Sequence, residues 1–448
     1  MLQRLVYKTL RALSWLHYWE QRRFTTAGLL GLVVLTASAV GLDTNATVAY
    51  QIFALLAVVF AFAWIGAWRF RPRLSVRRQL PRFGTVGQPL PYRLALTNEG
   101  TVGFRHLRLI ENPDDPRPSL NEFLSARQSR ADSSRNPPRE SALAAWRRLI
   151  ASRRLATFEP QTISDLAPRD TYEIRAHLLP QRRGILRLRG VTVGRPDPFG
   201  LMQAPYAIPA AQTVLILPKR YPVPHVPLPG ARVYQEGGVT LAASVGDSEE
   251  FVALRDYRPG DPLRRIHWKS WPKIGKPVVK EYQEEFFVRH ALVLDAHANA
   301  HARQRFEEAV SVASSFACTI ETQDSLLDLL FVANKAYCFT AGRGQGQVES
   351  LLEVLASVEP SPPDSFRVLQ EFVLGRAAMM SGCLCVLLEW DDQRRQFVRR
   401  LRGVGIPTLV LVISEEGETE LATAPGGGAV LPLKRLHVGR IAEGLATL

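Results

Sequence analysis

Asp295, His297 and His301 lie within seven residues, and the two histidines fall four apart, on one helical face if a helix begins early enough. A carboxylate with two imidazoles is a donor set for zinc, and zinc with an open position activates water for hydrolysis. Three ligands from one turn are a weak signal, and a solvated loop accounts for them better. His267 with Asp261 nearby suggests acid–base work, since histidine titrates near neutrality. No Ser or Cys in a GxSxG-type setting accompanies it. Gly342-Arg343-Gly344-Gln345-Gly346 follows one apolar run and precedes another, superficially like a phosphate cradle, yet it fits neither GxxxxGK[ST] nor GxGxxG. It reads as an ordinary loop, so nucleotide chemistry would have to come from a partner.

His267 belongs to the densest polar stretch of the chain, Gly246 to Glu285. Its apolar residues repeat at neither period 2 nor 3.6 for most of its length. Its charges therefore need partners, because buried charge is costly unless paired. Residues 221–287 hold nine Lys and Arg against nine Asp and Glu, a balance that suits an internal ion-pair network rather than a polyanion site. Pro259-Gly260-Asp261 is a natural turn. Arg255, Arg258, Arg264 and Arg265 are expected to pair with Asp256, Asp261, Glu281, Glu284 and Glu285, clamping two domains together. In Ile266-His267-Trp268-Lys269 the alternation reads as a strand with Trp268 buried and cations on its other face. Trp268 and Trp271 with these cations would also suit single-stranded nucleic acid, but the interleaved acids count against it.

The elements around these residues begin at a membrane. The chain has 448 residues and a formal charge of +14, unevenly spread. Residues 1–82 carry eleven basic and two acidic groups, residues 83–220 twenty-one and twelve, and residues 288–448 fifteen and nineteen. An excess at the N-terminal end points to a membrane surface before nucleic acid. Phe24–Leu42 and Val48–Trp68 contain no charged residue, and each is about the ~20 residues that cross a hydrocarbon core. Arg22 and Arg23 precede the pair, and Arg69, Arg71, Arg73, Arg77 and Arg78 follow it. The positive-inside rule then gives a two-pass hairpin in the inner (plasma) membrane with both termini cytoplasmic. A cleaved signal peptide does not fit so long a first run with a second behind it. Ahead of the hairpin, residues 1–23 read as an amphipathic interfacial helix. Leu2, Leu5, Val6, Leu10, Leu13 and Leu16 share one face, Arg4, Lys8 and Arg11 another, and Trp15, Tyr18 and Trp19 sit at headgroup depth.

Residues 71–220 show short alternating runs with turns about every ten residues, the pattern of an antiparallel β-sandwich. Residues 113–154 break that pattern and read as a flexible insertion with a short helix near Ser141–Ser152 and a disordered middle. Residues 221–287 form a connector with the polar segment. Residues 288–448 alternate apolar strands with amphipathic helices, giving a mostly parallel sheet covered on both faces, a Rossmann-like α/β domain. Ligands of such sheets sit beyond the carboxyl ends of the strands, which gathers Asp295, Thr340 and Glu389–Asp392 around one site. Cys318, Cys338, Cys383 and Cys385 lie in apolar segments and read as small buried hydrophobes, since Cys383-Leu384-Cys385 lacks CxxC spacing.

Three features now meet: the apolar hairpin, a β domain carrying Arg183-Gly184 and Asp197-Pro198-Phe199-Gly200-Leu201, and a polar segment with Arg255, Tyr257, Gly260, Asp261, His267 and Trp268. Together they resemble family 58 of the bacterial series of domains of unknown function, along nearly the whole chain. The resemblance implies a multi-domain α+β membrane protein whose C-terminal domain is von Willebrand factor A-like. It also implies association with a MoxR-type AAA+ ATPase and with a transglutaminase-like membrane protein. Von Willebrand A domains often hold Mg²⁺ through an Asp-x-Ser-x-Ser turn plus later Thr and Asp residues. Here that turn is Asp295-Ala296-His297-Ala298-Asn299, so histidine and asparagine replace both serines, and Thr340 with Asp391 or Asp392 would complete the set. Magnesium demands oxygen donors, so a degenerate site used for protein contact is expected.

The expectation is a non-enzymatic, membrane-anchored adaptor facing the cytoplasm, serving assembly or maintenance of envelope or protein complexes. The alternative is a metal-dependent hydrolase at the membrane–cytoplasm boundary. A cell-surface adhesin conflicts with the cytoplasmic topology.

Overall fold

The uncharged N-terminal stretches are helical, which pairs their backbone polar groups within each segment. The structure is a computed structural model that describes residues 2–40, 48–68, 70–132, 141–224, 249–261, 263–284, 288–297, 302–319, 325–342, 345–361, 365–415 and 433–448. Three helices come first: α1 (Leu2–Arg23), α2 (Thr26–Val40) and α3 (Val48–Trp68). Among the described residues Val48–Ala67 is long and apolar enough to cross a membrane, with a mean hydropathy of 2.3. The 15 described residues of α2 are apolar, and residues 41 and 42 at the end of the expected run lie outside the described residues. Helices α2 and α3 lie side by side, with Gly31 against the ring of Phe60.

The β region follows with β1 (Leu74–Gln79), β2 (Phe83–Thr85), β3 (Leu90–Asn98), β4 (Phe104–Pro113), α4 (Leu120–Asp132), α5 (Ala142–Arg153), β5 (Ala156–Phe158), β6 (Gln161–Leu166), β7 (Thr171–Pro180), β8 (Gly184–Pro196) and β9 (Gln203–Leu217). They form two sheets, β1-β3-β7-β5 and β2-β9-β8-β4-β6, antiparallel except for the short β2–β9 pairing. Buried positions alternate along the strands, as Leu90, Tyr92, Leu94 and Leu96 do on β3. Both sheets contribute to one apolar core, where Leu94 and Leu178 join Leu109 and Val193. Inside it, Arg78 of β1 makes a bidentate pair with Glu111 of β4, at 2.6 and 3.1 Å, and the Tyr92 hydroxyl donates to the same carboxylate at 3.1 Å. Burying two charges is tolerable here because each is hydrogen-bonded.

The insertion is more ordered than composition implied. Helix α5 begins at its N-cap Ser141, close to expectation. Residues 120–132 are also helical, although their Ser and Arg content read as disorder. Ser119 and Glu122 form a reciprocal capping box, with Ser119 N–H donating to Glu122 Oε2 at 2.7 Å, and that local device outweighs composition. The rest of the expected disordered middle, residues 133–140, lies outside the described residues.

Beyond it are β10 (Glu249–Asp256), α6 (Trp271–Ile274), β11 (Val278–Glu284), β12 (Val288–Leu294), α7 (Arg303–Thr319), β13 (Ser325–Val332), β14 (Ala336–Ala341), α8 (Gln345–Ser357), α9 (Ser365–Leu374), β15 (Gly382–Leu387), α10 (Asp392–Gly403), β16 (Thr408–Ser414), β17 (Leu433–His437) and α11 (Ile441–Ala446). Strands β10 and β11 pair as an antiparallel ribbon. The six-stranded sheet has the order β14-β13-β12-β15-β16-β17, parallel except for edge strand β14. Helices α9 and α10 pack on one face through Phe366, Leu369, Phe397 and Leu401. By packing, the chain forms two compact units, Met1–Arg220 with Leu352–Val358, and Tyr221–Leu351 with Glu359–Leu448. Cys383 and Cys385 are buried as expected, whereas Cys318 is exposed and Cys338 half-buried.

Candidate functional site

In the six-stranded sheet the chain runs from β12 outward to β13 and β14, then returns to the other side of β12 as β15. That reversal opens a crevice at the carboxyl ends of β12 and β15, the usual ligand position in an open α/β sheet. Asp295 stands at the end of β12, and Glu389 and Asp391 follow β15. Asp295 is completely buried. Its Oδ1 accepts the His297 N–H at 3.0 Å, and its Oδ2 accepts the Leu388 N–H at 3.3 Å and Arg394 Nε at 2.7 Å.

Arg394 rises from the first turn of α10, which Asp391 caps by accepting the Arg394 N–H at 2.8 Å. Its Nη1 donates to Asp391 at 2.7 Å and stands 3.5 Å from Glu389, and its guanidinium lies 4.5 Å from the centre of the Phe366 ring. The Nη2 is buried without a hydrogen-bond partner among the described residues. Burial alone would pull the Arg394 pKa down, but Asp295, Asp391 and Glu389 outweigh it and hold the group above its ordinary value. Arg394 thus stays charged and acts as a built-in counter-cation. Beside it opens a cavity of about 710 Å³, lined by Arg305, Glu389, Asp391, Arg395, Ser414 and Arg435 among others.

Among the described residues the candidate magnesium ligands Asp295, Thr340 and Asp391 are not gathered at one point. Asp295 and Asp391 are brought together, but by a guanidinium that already takes an oxygen of each. A dication on those oxygens would meet that positive charge, so the residues present do not fit Mg²⁺. Asn299, and His301 of the zinc reading, lie outside the described residues. Thr340 is elsewhere: β14 returns antiparallel to β13, and the Thr340 hydroxyl donates to Asp328 at 2.6 Å, within a pair that Asp328 makes with Arg289. Thr340 pairs across the ladder with Asp328, which pairs with Ala291, so it sits mid-sheet and not at the carboxyl ends.

The polar segment forms its own small structure on the ribbon. Arg255 of β10 grips Asp261 with two bonds of 2.7 Å, and the Arg258 N–H donates to the same carboxylate at 2.8 Å. These bonds, from Arg255 first, depress the Asp261 pKa to about 2. Gly260 makes the turn with φ of 108°, a region that favours glycine. Tyr257 and His267 tie this loop to β11 and its approach, through N–H bonds to Pro277 O at 3.1 Å and Val278 O at 2.8 Å. His267 Nδ1 contacts Ser270 Oγ at 2.6 Å. The expected strand with a buried Trp268 is not found. Residues 263–265 form a 3-10 turn, Ile266 is the buried residue, and Trp268 is 60% exposed, stacked on Trp271 at 5.4 Å. Leu263 and Ile274 of the same segment are also exposed.

In the β region, Arg183 precedes β8 in the turn where Gly184 adopts φ of 125°. Asp197 accepts the N–H groups of Leu201 and Met202 at 3.1 and 3.0 Å, closing the turn between β8 and β9, where Gly200 has φ of 68° and Phe199 is exposed. That turn grips the root of α2: the Thr25 N–H donates to Leu201 O at 3.1 Å, and the Thr25 hydroxyl to Gly200 O. The same hairpin holds α3, because Arg195 donates to Gly66 O at 2.9 Å. Sequence reasoning missed Arg394. Its signal was present, since residues 394, 397, 398 and 401 share one helical face and the other three are apolar.

Residues 253–423 match the family model described as protein of unknown function DUF58. That stretch of the chain belongs to this family. The DUF58 region takes in most of the ribbon, the Asp295–Arg394 pair and the cavity lining other than Arg435, a narrower span than the whole-chain resemblance had implied. The chain is also similar to the uncharacterized protein YeaD of Bacillus subtilis, 22% identical over 213 residues, which are 47% of this chain. It spans about half of that relative, 52% of its length. Among solved structures, a CARDB domain from Pyrococcus furiosus aligns with 33% of the chain and 89% of its own, at 12% identity and a TM-score of 0.18. A cohesin module from Clostridium perfringens aligns with 33% and 98%, at 10% identity and the same TM-score of 0.18. Scores this low carry no fold assignment.

Proposed function

We propose that this chain is a membrane-anchored, cytoplasm-facing adaptor that works with a MoxR-type AAA+ ATPase in assembling or maintaining envelope or protein complexes. In this reading α2 and α3 form a two-pass hairpin, with the arginines before and after it on the cytoplasmic side. The segment 71–220 is a sandwich that spaces the anchor from the rest, 221–287 is a connector, and 288–448 is a von Willebrand factor A-like recruiting domain. The family resemblance supplies the ATPase, and a transglutaminase-like membrane protein as a further partner.

The observation that carries the adaptor reading is the Asp295–Arg394 pair. An internal cation occupies the oxygens that a catalytic metal would need, while Glu389 and Asp391 keep partly exposed outer edges beside an open cavity. Such a rim suits a partner's side chains better than a bound ion. The exposed Trp268–Trp271 stack adds an aromatic anchor of the kind enriched in protein interfaces.

The test is purification of the full chain from native membranes in mild detergent, with ATP or ADP, and identification of what co-elutes. Nucleotide-dependent retention of an AAA+ ATPase, lost in Asp391→Ala, is the expected result. Absence of any such ATPase, or one tightly bound metal per chain with hydrolytic turnover, would overturn the reading.

A further inference from the structure

Helix α1 has two differently occupied faces. Its inner face docks on the insertion: Tyr7 and Leu10 are buried against Phe123 of α4 and Trp146 of α5. The three rings close a triangle with centroids 5.7–6.0 Å apart. Two long-range hydrogen bonds fix the register, from the Tyr7 hydroxyl to Pro118 O at 3.1 Å and from Trp146 Nε1 to Ser14 Oγ at 2.7 Å. The far end is tied to the sheet, where Arg22 donates to Thr192 at 2.8 Å.

The outer face is bare and largely apolar, with the Thr9 hydroxyl turned back to Val6 O at 2.8 Å. Leu5, Leu13 and Leu16 are 61%, 60% and 49% exposed, spaced so that they fall on one side of the helix. Arg4, Lys8 and Arg11 stand exposed along one edge of this stripe. Its last turn leads straight to the apolar helices: the Trp19 ring meets Phe24, and the Phe24 ring meets Phe60 of α3.

We propose that helices α4 and α5 of the 113–154 insertion are a platform that holds α1 in the membrane interface, where its leucine stripe enters the bilayer and its cations bind anionic lipid headgroups. This rests on the membrane reading above. A bilayer is the occupant because the stripe is continuous with the candidate span and is bordered by cations, the pattern that adds electrostatic attraction to apolar burial at an anionic surface. It also gives the insertion a role, since a free α1 would have to bury Tyr7 and Leu10 elsewhere.

The experiment uses the full chain with Cys318→Ser and Cys338→Ser, leaving the buried Cys383 and Cys385. A spin label is placed at Leu13→Cys or, separately, at Val58→Cys of α3. Each protein is reconstituted in phosphatidylcholine vesicles with and without phosphatidylglycerol. Collision rates with oxygen and with a water-soluble nickel chelate then read depth. The Leu13 label should be shielded from nickel, and more deeply when phosphatidylglycerol is present. Replacing Arg4, Lys8 and Arg11 by Gln should remove that dependence, and Trp146→Ala should raise the mobility of the label and move it toward water. A nickel-accessible Leu13 label with a buried Val58 label would overturn this proposal alone, as would dipolar broadening from a second copy. A nickel-accessible Val58 label would overturn the membrane reading itself. An unchanged Leu13 depth and mobility in Trp146→Ala would overturn the platform.

Discussion

Arg394 and Asp295 meet at 2.7 Å across ninety-nine residues of chain, both side chains shut off from solvent. The pair joins the end of β12 to the start of α10 and fixes the crevice between β12 and β15. Removing one member of a buried pair strands the other charge. Arg394→Met should therefore cost about 3–5 kcal/mol in urea unfolding of the detergent-solubilised chain, and adding Asp295→Asn should recover most of it.

The same substitution should create a metal site that the native chain does not accommodate. Without the guanidinium, Asp295, Glu389 and Asp391 face each other as bare carboxylates. Magnesium should then raise the unfolding midpoint of Arg394→Met and leave that of the native chain unmoved, read by thermal scans with and without the ion. Equal responses would refute the view that arginine stands in for a cation.

Asp261 supplies a pH dependence with a definite sign. Its carboxyl titrates at about 2 in the folded ribbon against an ordinary 3.8. A depressed carboxylate stabilises the fold above its unfolded value and loses that contribution as pH falls through the folded one. Loop closure by Arg255 should thus persist to about pH 4 and fail between there and about pH 2. The near-ultraviolet dichroism of the Trp268–Trp271 stack should follow it. Asp261→Asn should show the open-loop signal at neutral pH.

Gly28 passes so close to the β8–β9 turn that an added Cβ would fall within the carbonyl of Leu201. Gly28→Ala should separate α2 from the turn, and Asp197→Ala should loosen the turn itself by stranding the N–H groups of Leu201 and Met202. Both should speed protease cleavage near residue 200, whereas Phe199→Ala, an exposed side chain, should not.

In the β region, Glu111→Gln leaves the buried Arg78 with a neutral partner. A loss of about 3–5 kcal/mol is expected from the full chain's unfolding. Substituting Arg78→Met and Glu111→Leu together should be far milder.

Much of the architecture was legible because apolar periodicity is local. The strands β12, β13, β15 and β16, and the helices between them, lie within a few residues of where the alternation puts them. Reasoning failed where long-range partners decide. Trp268 looked like a core residue because it alternates with Ile266 as a strand would, but a 3-10 turn at 263–265 and the start of α6 at Trp271 stand where that strand was expected. Thr340 looked like part of the carboxyl-end site because strands were assumed parallel, yet the short link 333–335 forces β14 to return antiparallel. Arg394 was hidden in a run of exposed arginines, though its helical position among Phe397, Val398 and Leu401 marks it as inward.

The grip of the β8–β9 turn on Thr25 has a mechanical consequence. These strands run 13 and 15 residues, a ribbon about 40 Å long at ~3.3 Å per residue. A paired ribbon of that length is stiff, and its tip is bonded to the helix root with no intervening slack. Tilting or sliding of the apolar helices would therefore be passed into the ribbon as a lever stroke, carried as far as the register shift between Leu188 and Gly190, where a bulged ladder bends.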